Sequence, residues 1–380
     1  MNCSTQIFDI NYSCLEEIDW NFPSNRREAI SKIHPYPAKF IESLPRTLIN
    51  LLKCDKNTIV FDPFCGSGTT LLEAQRAGIP SIGIDLNPIA CLISRVKVQP
   101  LESSFADCYQ NITNKAKLLI HKGVEIPSIP NLNHWFSSEV QLAIAALNNE
   151  INKISNHSLK DALQFCLSSI IVRVSKQESD TRYAAINKTT TIEDVLFGFA
   201  NASEKLLNAK SAADFPVEAT VIEKNILKVK PEEIKKKIGL VITSPPYPNA
   251  YEYWLYHKYR MWWLGFDPIY VRSNEIGARP HYHKRNGQTE HDFSSQMNDV
   301  FKLIDHRMAS NGKICLVIGR SIIKGRYIDN AEIINKIATM HNYKPLARIE
   351  RQIQANRKSF NLSYGKINSE YILIYQKGVR

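Results

Sequence analysis

The sequence predicts an α/β fold built on a doubly wound, mostly parallel sheet. An apolar, β-branched run at 58–64 breaks into a Gly-Ser-Gly turn and continues into a run of helix formers at 70–78. A second short strand follows at 80–88, and a second helix at 89–97. Because consecutive strands joined by single helices lie parallel in one sheet, this order predicts a Rossmann-like unit.

The rest of the chain divides into a continuation of this unit and two insertions. Residues 101–215 are polar, rich in Asn and Lys, and helical in pattern. We therefore predict one split α/β domain over 1–100 and 216–380, with a helical insertion at 101–215 and a basic loop insertion at 265–300. The individual patterns predict helices at 46–53, 140–154, 160–176 and 330–341, and strands at 218–224, 239–247, 313–319 and 369–377.

Composition places the chain among folded globular proteins. Of its 380 residues, 44% are hydrophobic and 22% charged, which supplies enough apolar side chains for a core. The sequence has no apolar run near the roughly 18 residues of a spanning helix and no secretory signal at its N-terminus, so we expect no membrane partner. Its eight cysteines form no CxxC pair or zinc spacing, so we expect reduced thiols and no metal site.

The charge balance favours a polyanionic partner. The chain has 48 Lys and Arg against 37 Asp and Glu, a net charge of +11. Neutralising phosphates with such cations releases condensed counterions, which drives binding to nucleic acid. A basic surface that only improves solubility is the alternative, and charge alone does not decide between them.

The glycine turn predicts a nucleoside-bearing cofactor. Gly66 and Gly68 let the backbone approach a ligand, and the helix that follows offers free N–H groups. The turn is neither a GxGxxG fingerprint nor a phosphate loop ending in GK[ST], which disfavours NAD and ATP. Asp85 ends the next strand, where an acid in doubly wound folds accepts hydrogen bonds from ribose hydroxyls. A glycine needed only for packing is the alternative for this turn.

The segment Ser244-Pro245-Pro246-Tyr247 follows another apolar strand. Its two prolines fix φ and lack amide hydrogens, so the loop is rigid and its carbonyls remain available as acceptors. A hydroxyl, a carbonyl and an aromatic ring at the carboxyl end of a strand suit an exocyclic amine on a flat heterocycle. Ser244 and the Pro245 carbonyl would accept the amine hydrogens, and Tyr247 would stack on the ring. Taken alone, a proline-rich turn explains the segment equally well.

Together these motifs resemble a known family. DPFCGSGTT (62–70) and TSPPY (243–247) are similar to the cofactor motif and the catalytic (D/N/S)PP(Y/F) motif of the S-adenosylmethionine-dependent DNA amino-methyltransferases. HPYPAKF (34–40) resembles the segment that precedes the cofactor motif and covers the methionine part of the cofactor. SDTRYA (179–184) and KINSEYILIYQK (366–377) resemble segments of cytosine-N4 relatives. The order of the motifs excludes the permutation in which SPPY comes first.

The resemblance implies a class I methyltransferase fold with a C-terminal antiparallel strand pair, S-adenosyl-L-methionine as cofactor and double-stranded DNA as partner. Ser at the first motif position usually accompanies cytosine-N4 methylation, and Asp accompanies adenine-N6 methylation. Lys224 and Asn225 stand where relatives often have an acid near the adenine, so no adenine-binding acid is assigned. The implied catalytic residues are Ser244, Pro245, Pro246 and Tyr247, and the implied cofactor-binding residues are Lys39, Phe40, Asp62, Pro63, Phe64, Cys65, Gly66, Ser67, Gly68, Thr69, Asp85, Leu86 and Asn87.

A base paired in a duplex cannot reach a strand-end pocket, so we expect the target cytosine to be flipped out. Residues suited to phosphates or unpaired bases lie in the helical insertion, after the SPPY segment and in the basic loop. Ordinary surface and packing roles are the alternative for each of them. The DNA-contact candidates are Arg182, Tyr251, Lys258, Arg272, Arg279, Lys284 and Arg285.

The family resemblance leads us to expect a cytoplasmic bacterial or archaeal enzyme of restriction–modification or phage defence, with a cognate restriction endonuclease as a second partner. Three alternatives remain: adenine-N6 methylation, RNA guanine-N2 or other RNA base methylation, and a non-catalytic DNA-binding subunit. The absence of a recognisable N-terminal RNA-binding module disfavours the second, and the intact SPPY segment disfavours the third. The whole interpretation requires the glycine turn and the SPPY segment to lie side by side.

Overall fold

A computed structural model of the chain describes residues 5–23, 28–37, 39–55, 57–180, 182–211, 216–249, 252–283, 285–352 and 369–378. The strands in this part of the chain are β1 (Thr5–Ile7), β2 (Ile59–Asp62), β3 (Ser81–Asp85), β4 (Ala219–Glu223), β5 (Ile238–Thr243), β6 (Met308–Gly319), β7 (Ser321–Ile323), β8 (Arg326–Ile328), β9 (Tyr343–Gln352) and β10 (Ser369–Lys377). The helices are α1 (Ala29–Ile33), α2 (Ser43–Leu52), α3 (Thr69–Arg76), α4 (Pro88–Val98), α5 (Phe105–Lys122), α6 (Leu132–Trp135), α7 (Ser138–Asn152), α8 (His157–Val174), α9 (Ile192–Lys210), α10 (Tyr253–Trp263), α11 (Pro268–Asn274), α12 (Glu290–Arg307) and α13 (Asn330–Met340).

Eight of these strands form one sheet in the order β1-β9-β10-β6-β5-β2-β3-β4, and β7 and β8 form a separate hairpin. Strands β4, β3, β2, β5 and β6, which are neighbours in that order, pair in parallel. Strand β10 runs antiparallel between β6 and β9, and β1 adds an antiparallel edge. The predicted doubly wound, mostly parallel sheet with a C-terminal antiparallel pair is therefore confirmed.

The first strand–helix unit follows directly from its residues. All four residues of β2 are buried, as expected for a strand covered on both faces. Gly68 takes a left-handed φ of 73° immediately before α3. Helix α4 begins after Asn87, whose side chain accepts a hydrogen bond from the Ile89 amide, and Pro88 occupies the first turn. The carboxyl ends of β2 and β3 are thereby held at one edge of the sheet.

The described part of residues 101–215 contains five helices, α5 to α9. Buried side chains of these helices, among them Phe165 and Phe199, belong to one apolar cluster that also includes residues of α4 and α10. These helices therefore pack on helices of the α/β domain rather than standing apart from it. Among the described helices, none combines the length and apolarity that crossing a bilayer requires.

Several features differ from the sequence predictions. The expected loop at 265–300 contains α11 and the first part of α12, because Asp267 caps α11 ahead of Pro268 and Thr289 forms a capping box with Asp292 at the start of α12. Strand β9 was not predicted. It contains Pro345, which cannot donate to the ladder, and the pairing with β10 is irregular at that point.

Candidate functional site

The glycine turn and the SPPY segment begin side by side. Strands β2 and β5 are parallel neighbours in the sheet. At their carboxyl ends, Thr243 donates a hydrogen bond of 2.6 Å from Oγ1 to Oδ1 of the buried Asp62. Ser244 follows Thr243, and the glycine turn follows Asp62. The sequence prediction that these two strand ends meet is confirmed.

A cleft of about 910 Å³, including space open to solvent, lies above these strand ends. All the predicted cofactor residues except Gly68 line it, and so do Ser244 and Pro246 of the predicted catalytic segment. Pro245 and Tyr247 are not part of its lining. The lining residues that were not predicted are Tyr36, Lys224, Asn225, Ile226, Tyr253, Val271, Asn274, Glu275 and Ile276.

The two glycines of the turn have different roles. Both have positive φ, 50° at Gly66 and 73° at Gly68. A Cβ at Gly68 would lie 2.8 Å from Oγ of Ser94 on α4, so Gly68 is required for helix packing. A Cβ at Gly66 would instead lie 3.3 Å from the hydroxyl of Tyr36, so the ring of Tyr36 packs directly against this turn. Gly66 therefore makes room for the wall of the cleft that Tyr36 forms.

Asp85 connects the ends of β2 and β3. Its carboxylate accepts hydrogen bonds from the amides of Gly66, at 2.9 Å, and Asn87, at 2.8 Å. Desolvation raises the pKa of Asp85 to about 6, although these backbone donors oppose the shift. Desolvation likewise raises the pKa of Asp62 to about 6 against the hydrogen bond from Thr243. Both carboxyls are therefore mostly ionised at neutral pH and hold the strand ends together.

Cys65, beside Gly66, lacks the properties of a nucleophile. Burial raises the pKa of its thiol well above the usual range, and nearby Asp85 acts in the same direction.

Lys39 donates hydrogen bonds from its ammonium group to the backbone carbonyls of Ser31, at 2.7 Å, and His34, at 2.9 Å. The HPYPAKF segment is thereby folded over the cleft.

The opposite wall of the cleft was missed by the sequence analysis. The ring of Tyr36 stacks on Tyr253, with centroids 6.0 Å apart, and on His257, at 5.1 Å. The carboxylate of Glu275 accepts from the backbone amides of Tyr253 and Trp254, each at 2.9 Å. It thus caps α10 from a different helix, because Glu252 makes no side-chain cap there. Such a cap across tertiary structure leaves no local sequence signal.

Glu275 is also the carboxyl in this wall whose titration is most displaced. Burial raises its pKa to about 8, and Asp85 and Glu252 add to the shift, whereas the two amide donors oppose it.

Elsewhere in the lining of the cleft, Lys224 pairs with Glu233 at 2.8 Å, and Asn225 accepts a hydrogen bond from the Leu227 amide. The residues that depart from the family pattern therefore do line the cleft.

Tyr247 faces the side of Ser244 that is remote from Asp85. Its hydroxyl lies 3.5 Å from Ser244 Oγ and donates to Glu370 Oε2 on β10 at 3.2 Å. Its ring rests against Gly319 of β6, where a Cβ would lie 2.9 Å from the ring. The edge of the sheet therefore has two parts. We call the part above β2, β3 and β4 the cofactor side, and the part above β5, β6 and β10 the acceptor side, after the cofactor and the methyl-accepting base that the sequence predicts there.

The described DNA-contact candidates make contacts with different elements. Arg182 pairs with Glu178 within the helical insertion, whereas Lys258 Nζ lies 4.1 Å above the ring of Tyr183, in the contact between that insertion and α10. The guanidinium of Arg272 lies 5.2 Å above the Trp254 ring. Arg279 donates from Nε to His283, and the Arg285 side chain is exposed. Tyr251 and Lys284 lie outside the described residues, as does Thr181 of the SDTRYA segment.

Comparisons with known proteins agree with this site. A sequence model of a DNA methylase family matches residues 9–95, which contain the HPYPAKF segment, the glycine turn and Asp85. The chain is 26% identical over 251 residues to the type II methyltransferase M.MvaI of Kocuria varians, covering 60% of this chain and 55% of that protein. It is 23% identical over 285 residues to the type II methyltransferase M.BsoBI of Geobacillus stearothermophilus, covering 67% of this chain and 56% of that protein.

A shorter match links the chain to an RNA enzyme. Over 66 residues it is 36% identical to a tRNA (guanine(10)-N2)-dimethyltransferase of Methanocaldococcus jannaschii. The matched segment covers 17% of this chain and 18% of that protein.

The chain spans a little over half the length of the two type II methyltransferases, at 55% and 56%.

Proposed function

We propose that this chain, which belongs to the family of S-adenosylmethionine-dependent DNA amino-methyltransferases, methylates the exocyclic N4 amine of a cytosine flipped out of double-stranded DNA. The observation that supports this best is the hydrogen bond between Thr243 and Asp62, because it sets Ser244 at the rim of the cofactor cleft. A serine hydroxyl at that point suits an amine substrate.

The cleft has features that fit S-adenosylmethionine. Asp85 offers an ionised acceptor for ribose hydroxyls, and Gly66 makes room for Tyr36 at the wall of the cleft. The Tyr36–Tyr253 stack closes the opposite wall, so a ligand here would lie between the strand ends and aromatic rings. When bound, the cofactor supplies an electrophilic methyl group on a positively charged sulfur.

The residues of the acceptor side then act on the amine. Its lone pair is delocalised into the cytosine ring, which makes the amine a poor nucleophile. Ser244 Oγ and the Pro245 carbonyl accept hydrogen bonds from its two N–H groups, which concentrates the lone pair on nitrogen. The two prolines keep these acceptors in place without reorganisation. Tyr247, held between Gly319 and Glu370, offers an aromatic face on which the extruded base stacks.

The function remains a choice among related substrates. Adenine-N6 methylation needs the same site and differs in the base that enters it. An RNA substrate is a further candidate, because one relative acts on tRNA. We favour DNA cytosine because of Ser244 and because the two longer matches are to type II DNA methyltransferases. A cognate restriction endonuclease with the same recognition sequence would be the natural partner of such an enzyme.

Mass spectrometry of nucleosides tests the proposal. The purified chain is incubated with methyl-labelled cofactor and either duplex DNA or total RNA, and the nucleic acid is digested. We expect labelled 4-methylcytosine from DNA, and labelling about 100-fold slower with the Ser244→Ala variant. Labelled 6-methyladenine would replace the proposal with the adenine alternative, and label only in RNA would replace DNA as the substrate.

A further inference from the structure

The hairpin β7–β8 stands at the acceptor side of the sheet edge. Strand β6 lies beside β5 and continues past it to Gly319, and the hairpin starts two residues later. Asn249, just beyond the SPPY segment, donates from Nδ2 to the Ile322 carbonyl at 2.7 Å. Asn330 donates to the Gly319 carbonyl and to Ser321 Oγ at the base of the hairpin. The hairpin is therefore fastened to the loop that carries Ser244 and Tyr247.

The turn of this hairpin presents a lysine. Ile323 pairs with Arg326, which leaves Lys324 and Gly325 as the two turn residues, with φ of 49° and 80°. Positive φ at both positions is the geometry that favours Asn-Gly, and a lysine adopts it infrequently. The Lys324 side chain is exposed, and its Nζ donates to the Arg285 carbonyl at 3.2 Å. The ammonium group thus stands at the tip, beside the backbone of Arg285.

The surroundings of this tip are basic. We call Arg285, Lys324 and Arg326 the basic rim; all three are exposed. The stretches 276–289 and 313–328, to which they belong, contain no Asp or Glu. Arg326 pairs with Glu290 at 3.1 Å, so one charge of the rim is partly balanced. Clustered exposed cations of this kind attract phosphate groups.

An exposed aromatic ring lies on the same hairpin. Tyr327 follows Arg326 on β8 and is 65% exposed. Because successive side chains of a strand point to opposite faces, its ring lies on the face opposite the Arg326 side chain. Folded proteins bury most of their large aromatic side chains, and an exposed ring is a surface on which unpaired bases stack.

The order of the strands places the hairpin on the side of Ser244 away from the cofactor cleft. The cleft residues that follow β2, β3 and β4 occupy the cofactor side, and Ser244 follows β5. The next strand on the other side of β5 is β6, from which the hairpin emerges. The hairpin therefore lies where a polymer can reach Ser244 without crossing the cofactor cleft.

We propose that the β7–β8 hairpin binds the substrate DNA beside the flipped nucleotide, with the basic rim on backbone phosphates and Tyr327 stacked on an exposed base. This inference rests on the proposed function for its substrate. Lys324 is the phosphate contact at the tip, and Tyr327 contributes stacking that does not depend on salt.

Fluorescence anisotropy of a labelled DNA duplex, measured over a series of salt concentrations, tests the hairpin. We use Lys324→Asn, because Asn suits the turn and removes the charge without strain. We expect about fivefold weaker binding and a salt slope smaller by about one unit. Tyr327→Ala should weaken binding about tenfold with an unchanged slope.

The matched control is Lys236→Ala. Lys236 is an exposed lysine just before β5, at the edge of the sheet opposite Ser244. Its removal should leave affinity and slope as in the wild type. Equal losses in Lys236→Ala and Lys324→Asn would overturn the hairpin assignment, and so would unchanged binding in Lys324→Asn and Tyr327→Ala.

The two proposals fail in different ways. If wild-type protein methylates DNA but the hairpin variants bind it normally, the function stands and the hairpin assignment is wrong. If nucleoside analysis finds no methylated DNA base while binding still depends on Lys324 and Tyr327, the hairpin assignment stands without the function. If duplex RNA competes better than duplex DNA for the rim, DNA is the wrong partner.

Discussion

The two sides of the sheet edge are built differently. On the cofactor side, Asp62 and Asp85 are enclosed and tied to backbone amides or to Thr243 at 2.6 to 3.1 Å. On the acceptor side, Lys324 and Tyr327 are exposed to solvent. A small ligand is bound by preformed groups in a cleft, whereas a polymer is attracted over a broad charged surface. The difference is the one expected if the first side binds the proposed cofactor and the second binds the proposed DNA.

Ser244 lies at the boundary between these sides, and its substitution should have the largest effect. Ser244→Ala removes one proposed acceptor for the amine, so we expect methyl transfer to fall about 100-fold. The hydroxyl belongs to neither the Asp85 network nor the basic rim, so the dissociation constants for cofactor and DNA should stay near wild type. Single-turnover kinetics, calorimetry with the cofactor and anisotropy with DNA measure the three quantities. A parallel loss of cofactor affinity would place Ser244 on the cofactor side instead.

Glu275 tests whether the enclosed carboxyls of the cofactor side destabilise the free protein. Its pKa is raised from an ordinary 4.5 to about 8, so between these values the folded protein binds more protons than the unfolded chain. Its contribution to the free energy of unfolding therefore falls as pH rises through that window. Glu275→Gln removes this dependence.

The measurement for Glu275 is the melting temperature of both proteins across pH. Relative to wild type, Glu275→Gln should gain roughly a few degrees between about pH 5 and about pH 8, with no further gain above. The loss of one backbone hydrogen bond in the variant is the same at every pH. Lys324→Asn, on the exposed acceptor side, should track the wild type throughout. A constant difference for Glu275→Gln would show that its carboxyl titrates normally.

Glu370 should give the smallest effect, because it acts through Tyr247. Glu370→Gln replaces the carboxyl acceptor of the Tyr247 hydroxyl with an amide, so we expect kcat to fall about threefold, as for loss of part of one hydrogen bond. KM for the cofactor should not change, since Tyr247 does not line the cleft. Tyr247→Phe, which removes the hydroxyl itself, should match it, and the double variant should be no worse than either. Additive losses would disprove the link.

Much of the cofactor side was predictable. Strands β2 and β3, helices α3 and α4 and the placement of Asp85 follow from contiguous patterns, because each depends on residues a few positions apart. On the acceptor side, the SPPY segment and strands β5, β6 and β10 were also predicted from contiguous patterns. The β7–β8 hairpin was not predicted, because its strands have three residues each and its turn has Lys where Asn is usual.

The sequence by itself determined the order of strands and helices, the two conspicuous turns and the excess of positive charge, since these are properties of neighbouring residues and of composition. Only the tertiary structure decided that Gly68 packs on Ser94, that Glu275 caps a helix to which it is not joined, and that Tyr247 rests between Gly319 and Glu370. Each of these depends on side chains that are distant along the chain or belong to different elements. Contacts of that kind leave no periodic pattern in the sequence, because the residues that make them come together only when the chain folds.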